Sequence, residues 1–178
     1  MKHLTIAFVL VILCLSVKAQ DYKFEMTNDS LIVSKNVVSL QDTQNTKSHL
    51  YKNAKIWIAN EFRSLKDVVQ IDDPESGHII GKGSTLCTNG MLRFNYTFDI
   101  MVKDQKYQMI IKNASFYYST DDTELLTSVY KEYLTNLIKH PRRARFNYSY
   151  RFDEAKRIFA SLQTDLNKAM SENNSTDF

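Results

Sequence analysis

Glycine, proline and cysteine are scarce in this chain. Four glycines, two prolines and two cysteines punctuate 178 residues. So few breakers exclude long flexible or polyproline linkers and favour one folded unit over several tethered ones. Cysteine is too rare for a disulfide framework. Cys14 falls in the leader segment described below, which leaves Cys87 alone. A small buried hydrophobe is the commoner role for such a residue, and no helix start or base adjoins Cys87 to activate its thiol. A large excess of charge is also lacking: 23 basic residues face 20 acidic ones, for a net +3. That balance excludes a general polyanion binder, so any basic function must be local.

Long apolar runs are missing but for one. Leu4 to Leu15 is broken only by Thr5; Lys2 precedes it and Val17-Lys18-Ala19 follows. A charged start, a short apolar middle and a small residue at the cut read as a secretory signal peptide over residues 1–19. The run is too short for a spanning helix of about 20 apolar residues. Leu13 before Cys14 is too large for a lipid-attachment site, so soluble export is expected over lipid anchoring. Cleavage after Ala19 leaves residues 20–178 as one domain and removes two of the three excess positive charges, Lys2 and Lys18.

What is present is mostly periodic. Leu31 to Leu40 reads as a strand. Leu50, Ala54, Trp57, Ile58 and Phe62 share one helical face, with Thr46 or Ser48 as its cap and Trp57 as its core anchor. Four strands follow: Val68 to Asp72, His78 to Thr88, Met91 to Lys103 and Lys106 to Tyr118. Thr88-Asn89-Gly90 marks a tight hairpin. In the third of these strands Leu92, Phe94, Tyr96, Phe98 and Ile100 alternate with Arg93, Asn95, Thr97 and Asp99, as in an antiparallel sheet covered on one side. A helical stripe over about 121–139 begins at Ser119, Thr120 or Asp121 and stops at Pro141. After a basic, aromatic connection, a last helix covers about 153–171, and the polar tail beyond Ser171 frays. The expected class is α+β: an antiparallel sheet of about five strands with helices on one face, in the order β-α-β-β-β-β-α-α.

Leu50-Tyr51-Lys52-Asn53-Ala54-Lys55-Ile56-Trp57-Ile58-Ala59, Asp67-Val68-Val69-Gln70-Ile71-Asp72-Asp73 and Gly77-His78-Ile79-Ile80-Gly81-Lys82-Gly83 resemble strings of a family of exported domains of unknown function, found chiefly in Bacteroidota. The resemblance implies a TATA-binding-protein-like (TBP-like) fold and covers about 31–118; Leu166-Asn167-Lys168-Ala169-Met170 also looks like family tails. The helix at 121–139 matches no family feature and reads as an insertion. No activity comes with the resemblance, so no catalytic residue is carried over. Nucleic-acid binding does not follow from the fold name either, because function is set by the site.

The familiar chemical motifs fail on spacing. Gly81-Lys82-Gly83-Ser84 is not a P-loop: Ser or Thr does not follow Lys82 directly, and no helix follows the segment. A strand with close backbone approach accounts for both glycines. His49, His78 and His140 lie on different elements without metal-ligand spacing, and Asp121-Asp122-Thr123-Glu124 lacks the central glycine of a calcium loop. No nucleophile-elbow Gly-x-Ser-x-Gly occurs. Asn-x-Ser/Thr triplets, among them those at Asn95, Asn113 and Asn147, read as chance matches. No cofactor and no metal are expected.

One constellation remains. Between Lys139 and Phe152, Arg142, Arg143, Arg145 and Arg151 interleave with Phe146, Tyr148, Tyr150 and Phe152. Guanidinium groups supply forked hydrogen bonds and aromatic faces supply stacking, so Arg142, Arg143, Arg145, Tyr148 and Arg151 are the candidate ligand-binding residues. The alternative is a connecting strand whose aromatics finish the core while its arginines face water. The expected function is a non-catalytic binding module of the periplasm or cell envelope. Its partner would be an envelope protein or an anionic envelope glycan or lipid, not nucleic acid. A small hydrolase-like enzyme with a site formed only in three dimensions is the alternative.

Overall fold

A computed structural model describes residues 25–27, 30–62, 65–117 and 123–171. The signal segment and the polar tail lie outside the described residues. In chain order the elements are β1 (Glu25–Thr27), β2 (Ser30–Ser39), α1 (Lys47–Phe62), α2 (Leu65–Val68), β3 (Val69–Asp73), β4 (His78–Leu86), β5 (Arg93–Lys103), β6 (Lys106–Tyr117), β7 (Thr123–Leu125), α3 (Leu126–Lys139) and α4 (Pro141–Ser171). All strand pairs are antiparallel, in the order β1-β2-β6-β5-β4-β3, with β7 beside β6. The five long strands are those read from the sequence. The short β1, β7 and α2 have too few residues for a periodic signal.

Alternation decides the layers. Phe94, Tyr96, Phe98, Ile100 and Val102 are buried against the helices, and Arg93, Asn95, Asp99 and Met101 face the other way. Tight turns hold the meander. Gly77 and Gly90 have positive φ, and the Asn89 carboxamide oxygen accepts the Met91 and Leu92 N–H groups at 3.0 and 3.1 Å. The start of α1 is satisfied locally: Thr46 Oγ1 accepts the His49 N–H at 3.3 Å, and Asp104 Oδ1 accepts the Lys47 N–H at 2.7 Å. Leu50, Ala54, Trp57 and Ile58 then enter the core.

Two expectations about the C-terminal third need correction. The segment 121–139 is not one helix: Thr123–Leu125 pairs with β6, and α3 starts only at Leu126, with no side-chain cap. Asp121 and the other expected caps lie outside the described residues. The basic, aromatic segment after Lys139 is neither a loop nor a strand but the first half of α4. Pro141 ends α3 and also begins α4, where its fixed φ suits the first helical turn. Ala144, Tyr148, Phe152, Ala155 and Phe159 then form a buried stripe at helical spacing, and Phe146 and Tyr150 stay exposed. Every second one of the four alternating aromatics, Tyr148 and Phe152, belongs to that stripe.

Glu154 fastens α4 to the β4–β5 hairpin. Its buried carboxylate accepts from the Thr88 N–H at 3.2 Å, from the Thr88 hydroxyl and from Arg157 Nη2 at 3.0 Å. Burial raises the acid's pKa, but the Arg157 and Thr88 hydrogen bonds outweigh it, and the net shift is downward. A lowered carboxyl pKa stabilises the fold fully above the ordinary glutamate range; that part is lost as pH falls through the folded value. Glu154→Gln therefore costs about 1 kcal/mol at neutral pH and flattens the acid limb of the stability curve. Urea titrations from neutral to acid pH measure both.

Candidate functional site

Helices α1, α3 and α4 cover one face of the sheet, and among the described residues nothing covers the other. Register assembles that open face from five strands. Across its middle run Ile71, Ile80, Asp99, Ile110 and Lys35; the next row holds Asp73, His78, Met101, Gln108 and Val37. Lys82, Thr97 and Lys112 form a third row. Lys103 and Lys106 sit at the β5–β6 turn, and Arg93 pairs with Leu86 at the other end.

Charge on this face is one-sided. Lys35, Lys82, Arg93, Lys103, Lys106 and Lys112 stand against Asp73 and Asp99, and register continues the third row through Ile32 to Glu25 at the far edge of the sheet. Asp99 is already engaged. Its two oxygens accept from His78 Nε2 at 2.8 Å and Lys112 Nζ at 2.7 Å. Asp73 is turned toward its own loop, where it accepts from the Glu75 and Ser76 N–H groups at 3.0 and 3.2 Å and from the Ser76 hydroxyl at 2.6 Å. Those bonds, the Ser76 hydroxyl's first, hold its carboxyl below the usual range. Between the cations Val37, Ile71, Leu86 and Met101 are exposed, Val37 by 56%. Exposed apolar side chains within a rim of like charge mark a surface suited to contact.

A cleft of about 780 Å³ opens where the end of α1 and α2 meet β4. Phe62, Val68 and Tyr96 give it apolar walls; Ser84, Asn95 and Asn113 give it uncharged polar ones. Asn113 has φ +53 at the bulge where β6 carries extra residues opposite β5. Burial pushes the Tyr96 phenol up to about 12, and its oxygen lies 3.3 Å from Thr85 Oγ1. Burial, with the nearby Asp165 carboxylate, also raises Glu61 at the rim. Ser84 Oγ accepts from Arg93 Nη1 at 3.4 Å, a partner that cannot take its proton. The lining includes neither histidine nor cysteine. Among the described residues no group of three or more His, Cys, Asp or Glu side chains converges to hold a metal.

The sequence-predicted site residues are on α4, in the helical layer and away from the open face. Arg142, Arg143 and Arg145 are exposed; at about 100° per residue Arg142 and Arg145 are neighbours about 60° apart, and Arg143 points away from Arg145. Tyr148 points inward, 8% exposed; its oxygen accepts from Asn136 Nδ2 at 3.2 Å and its ring meets Tyr133 edge-on at 6.0 Å. Arg151 is half-buried, with the Asn147 carbonyl 3.5 Å from its Nη1. The helix therefore separates residues that the linear spacing grouped. Cys87 is buried, and burial pushes its thiol up, consistent with the hydrophobic role. Of the open face, Arg93 and Asp99 were legible from alternation within one strand. Lys103 shares their strand and phase, whereas Lys35, Lys106 and Lys112 join them only through strand pairing.

Residues 35–117 match a family model described as a domain of unknown function (DUF4468) with TBP-like fold. A crystal structure of a DUF4468 family protein from Bacteroides ovatus superposes with a TM-score of 0.61 at 14% identity, covering 89% of this chain and 94% of that one. A crystal structure of a TBP-like protein from Parabacteroides distasonis gives 0.64 at 14% identity, over 83% of this chain and 97% of that one. These likenesses concern the fold. No curated protein matches the chain.

Proposed function

We infer that the chain, whose residues 35–117 belong to the DUF4468 family of domains of unknown function with a TBP-like fold, is a non-catalytic binding module that docks an acidic protein surface on its open sheet face. One observation carries the reading: six cations and four exposed apolar side chains share an uncovered face on which Asp99 is engaged by His78 and Lys112 and Asp73 by its own turn. Apolar contacts supply affinity there, and the cationic rim supplies steering and selection. A glycan would want several stacking aromatics and converging donors; this face offers Val37, Ile71, Leu86 and Met101, with Tyr117 beside Arg93. The reading makes no use of Arg142, Arg143, Arg145, Tyr148 or Arg151, because α4 does not gather them. It gives the cleft no chemical step, since its lining pairs no base with a nucleophile. The charged start and apolar run of residues 1–19 support a setting outside the cytoplasm. Among the described residues no helix is long and apolar enough to cross a membrane.

The test is photo-cross-linking in cells from a reactive group placed at Val37 or Met101. A discrete adduct is expected, with the cross-linked partner peptide acidic. Lys103→Glu with Lys106→Glu lowers adduct yield by about tenfold, as does added salt. Adducts that ignore both charge reversal and salt defeat the reading.

A further inference from the structure

The edge of the sheet at β4 offers a second, independent opportunity. Strand β3 accompanies β4 only as far as the pair Val69–Gly81, and β4 continues to Leu86. Two hydrogen bonds fix the phase of what continues. The Cys87 N–H donates to the Leu92 carbonyl and the Val102 N–H donates to the Gly77 carbonyl, each at 2.8 Å. In an antiparallel ladder, alternate residues bond to the same neighbour. Counting from either end, residues 77, 79, 81, 83, 85 and 87 face β5. The main-chain groups of Lys82 are met by Val68 across the last pair, Val69–Gly81, whereas the N–H and C=O groups of Ser84 and Leu86 point away from β5, and among the described residues no strand pairs with them. The 780 Å³ cleft runs beside this stretch, with Lys82, Gly83 and Ser84 in its lining.

We propose that this edge takes an extended peptide of a partner protein, which adds to the sheet as a strand antiparallel to β4 alongside Gly83 to Leu86. Main-chain bonding to Ser84 sets the register, and side chains of the added strand alternate between two environments. The residue opposite Gly83 faces the Phe62, Val68 and Tyr96 walls, where no β4 side chain intrudes, so an apolar residue fits. Its neighbours face the open side beside Lys82 and Arg93, so an acidic residue fits there. The same charges argue against a second copy as occupant. Two β4 edges paired antiparallel about Ser84 would set Lys82 opposite the partner's Leu86, whose neighbour across β5 is another Arg93, and like charges that close oppose pairing.

Selection of binders from a library of random short peptides tests this on the full mature chain. Enrichment of peptides that alternate apolar and acidic residues is expected. Methylating the peptide nitrogens that pair with Ser84 should weaken binding by about tenfold or more, since each methyl removes one ladder bond. Ser84→Pro should do the same. Proline is tolerated where an edge N–H faces solvent, so that variant keeps its circular dichroism spectrum. If it does not, the methylated peptides give the answer without altering the protein. Binding indifferent to backbone methylation, selection of no peptide, or Ser84 and Leu86 amides already protected from solvent exchange in the free protein would each overturn the proposal. Lys103→Glu leaves this binding unchanged, which separates failure at the edge from failure of the open-face reading.

Discussion

Replacing Trp57 by alanine lowers the free energy of unfolding by about 3–5 kcal/mol. Trp57 is 4% exposed and meets Phe62 and Phe98 edge-on, with ring centroids 5.9 and 6.1 Å away. Phe62 in turn stacks on Phe98 at 5.3 Å. Removing the indole leaves a cavity bounded by two rings, by the α1 backbone and by β5, none of which can collapse far. A loss of this size is a large fraction of the 5–15 kcal/mol typical of a domain. Trp57→Phe costs much less, because the indole Nε1 is buried without a hydrogen-bond partner among the described residues and phenylalanine removes that unsatisfied donor. The chain has one tryptophan, so unfolding is followed by circular dichroism instead of fluorescence. An unchanged urea midpoint in Trp57→Ala would remove Trp57 from the core.

Gly81→Ala is the second large effect, and its sign rests on two opposed terms. Alanine restricts the unfolded chain more than glycine, which favours the variant by about 0.4–1 kcal/mol. Against that, a Cβ on Gly81 would lie 2.2 Å from Cζ of Phe98. The ring is held between Phe62 and Trp57 and cannot swing aside, so β4 must move away from β5. Overpacking of this kind costs about 1–3 kcal/mol, and a contact this short belongs at the upper end, so destabilisation wins. Thermal unfolding of the single variant beside Gly81→Ala/Phe98→Leu checks the cause: the smaller partner restores part of the loss. Equal loss in both would assign the role of Gly81 to backbone conformation.

The two glycines of β4 show what local sequence can disclose. Their pairing with large aromatics was readable as close backbone approach, and Phe98 and Tyr96 are the rings that use the space. The inner face of β5 was readable for the same reason: a period of two has one meaning when five large apolar residues repeat it. Pro141 and the aromatics after it were ambiguous. A proline ends one helix or begins the next with equal ease, and Tyr148 and Phe152 satisfy both a period of two and a spacing of four. Burial of Ala144, a residue too small to weigh in a hydrophobic pattern, settles the choice. The open face was readable only in part. Arg93 and Asp99 belong to one strand, but their neighbours Lys35 and Lys112 arrive from strands whose pairing no local signal specifies. The free edge of β4 was not readable at all, since it depends on where β3 stops.

The pairing of β2 with β6 has a temporal side. Lys35 lies opposite Ile110, so α1, α2 and strands β3, β4 and β5 are all made before β2 has its neighbour. The β3–β6 meander joins segments close in the chain and closes small loops; the β2 contact closes the largest loop of any strand pair described, which makes it the late and slow step of sheet assembly. Until then β6 shows the nascent chain an unpaired border that β2 will later occupy. A chain released or transported in that interval travels with its sheet unfinished, and β2 serves as the latch that ends the interval.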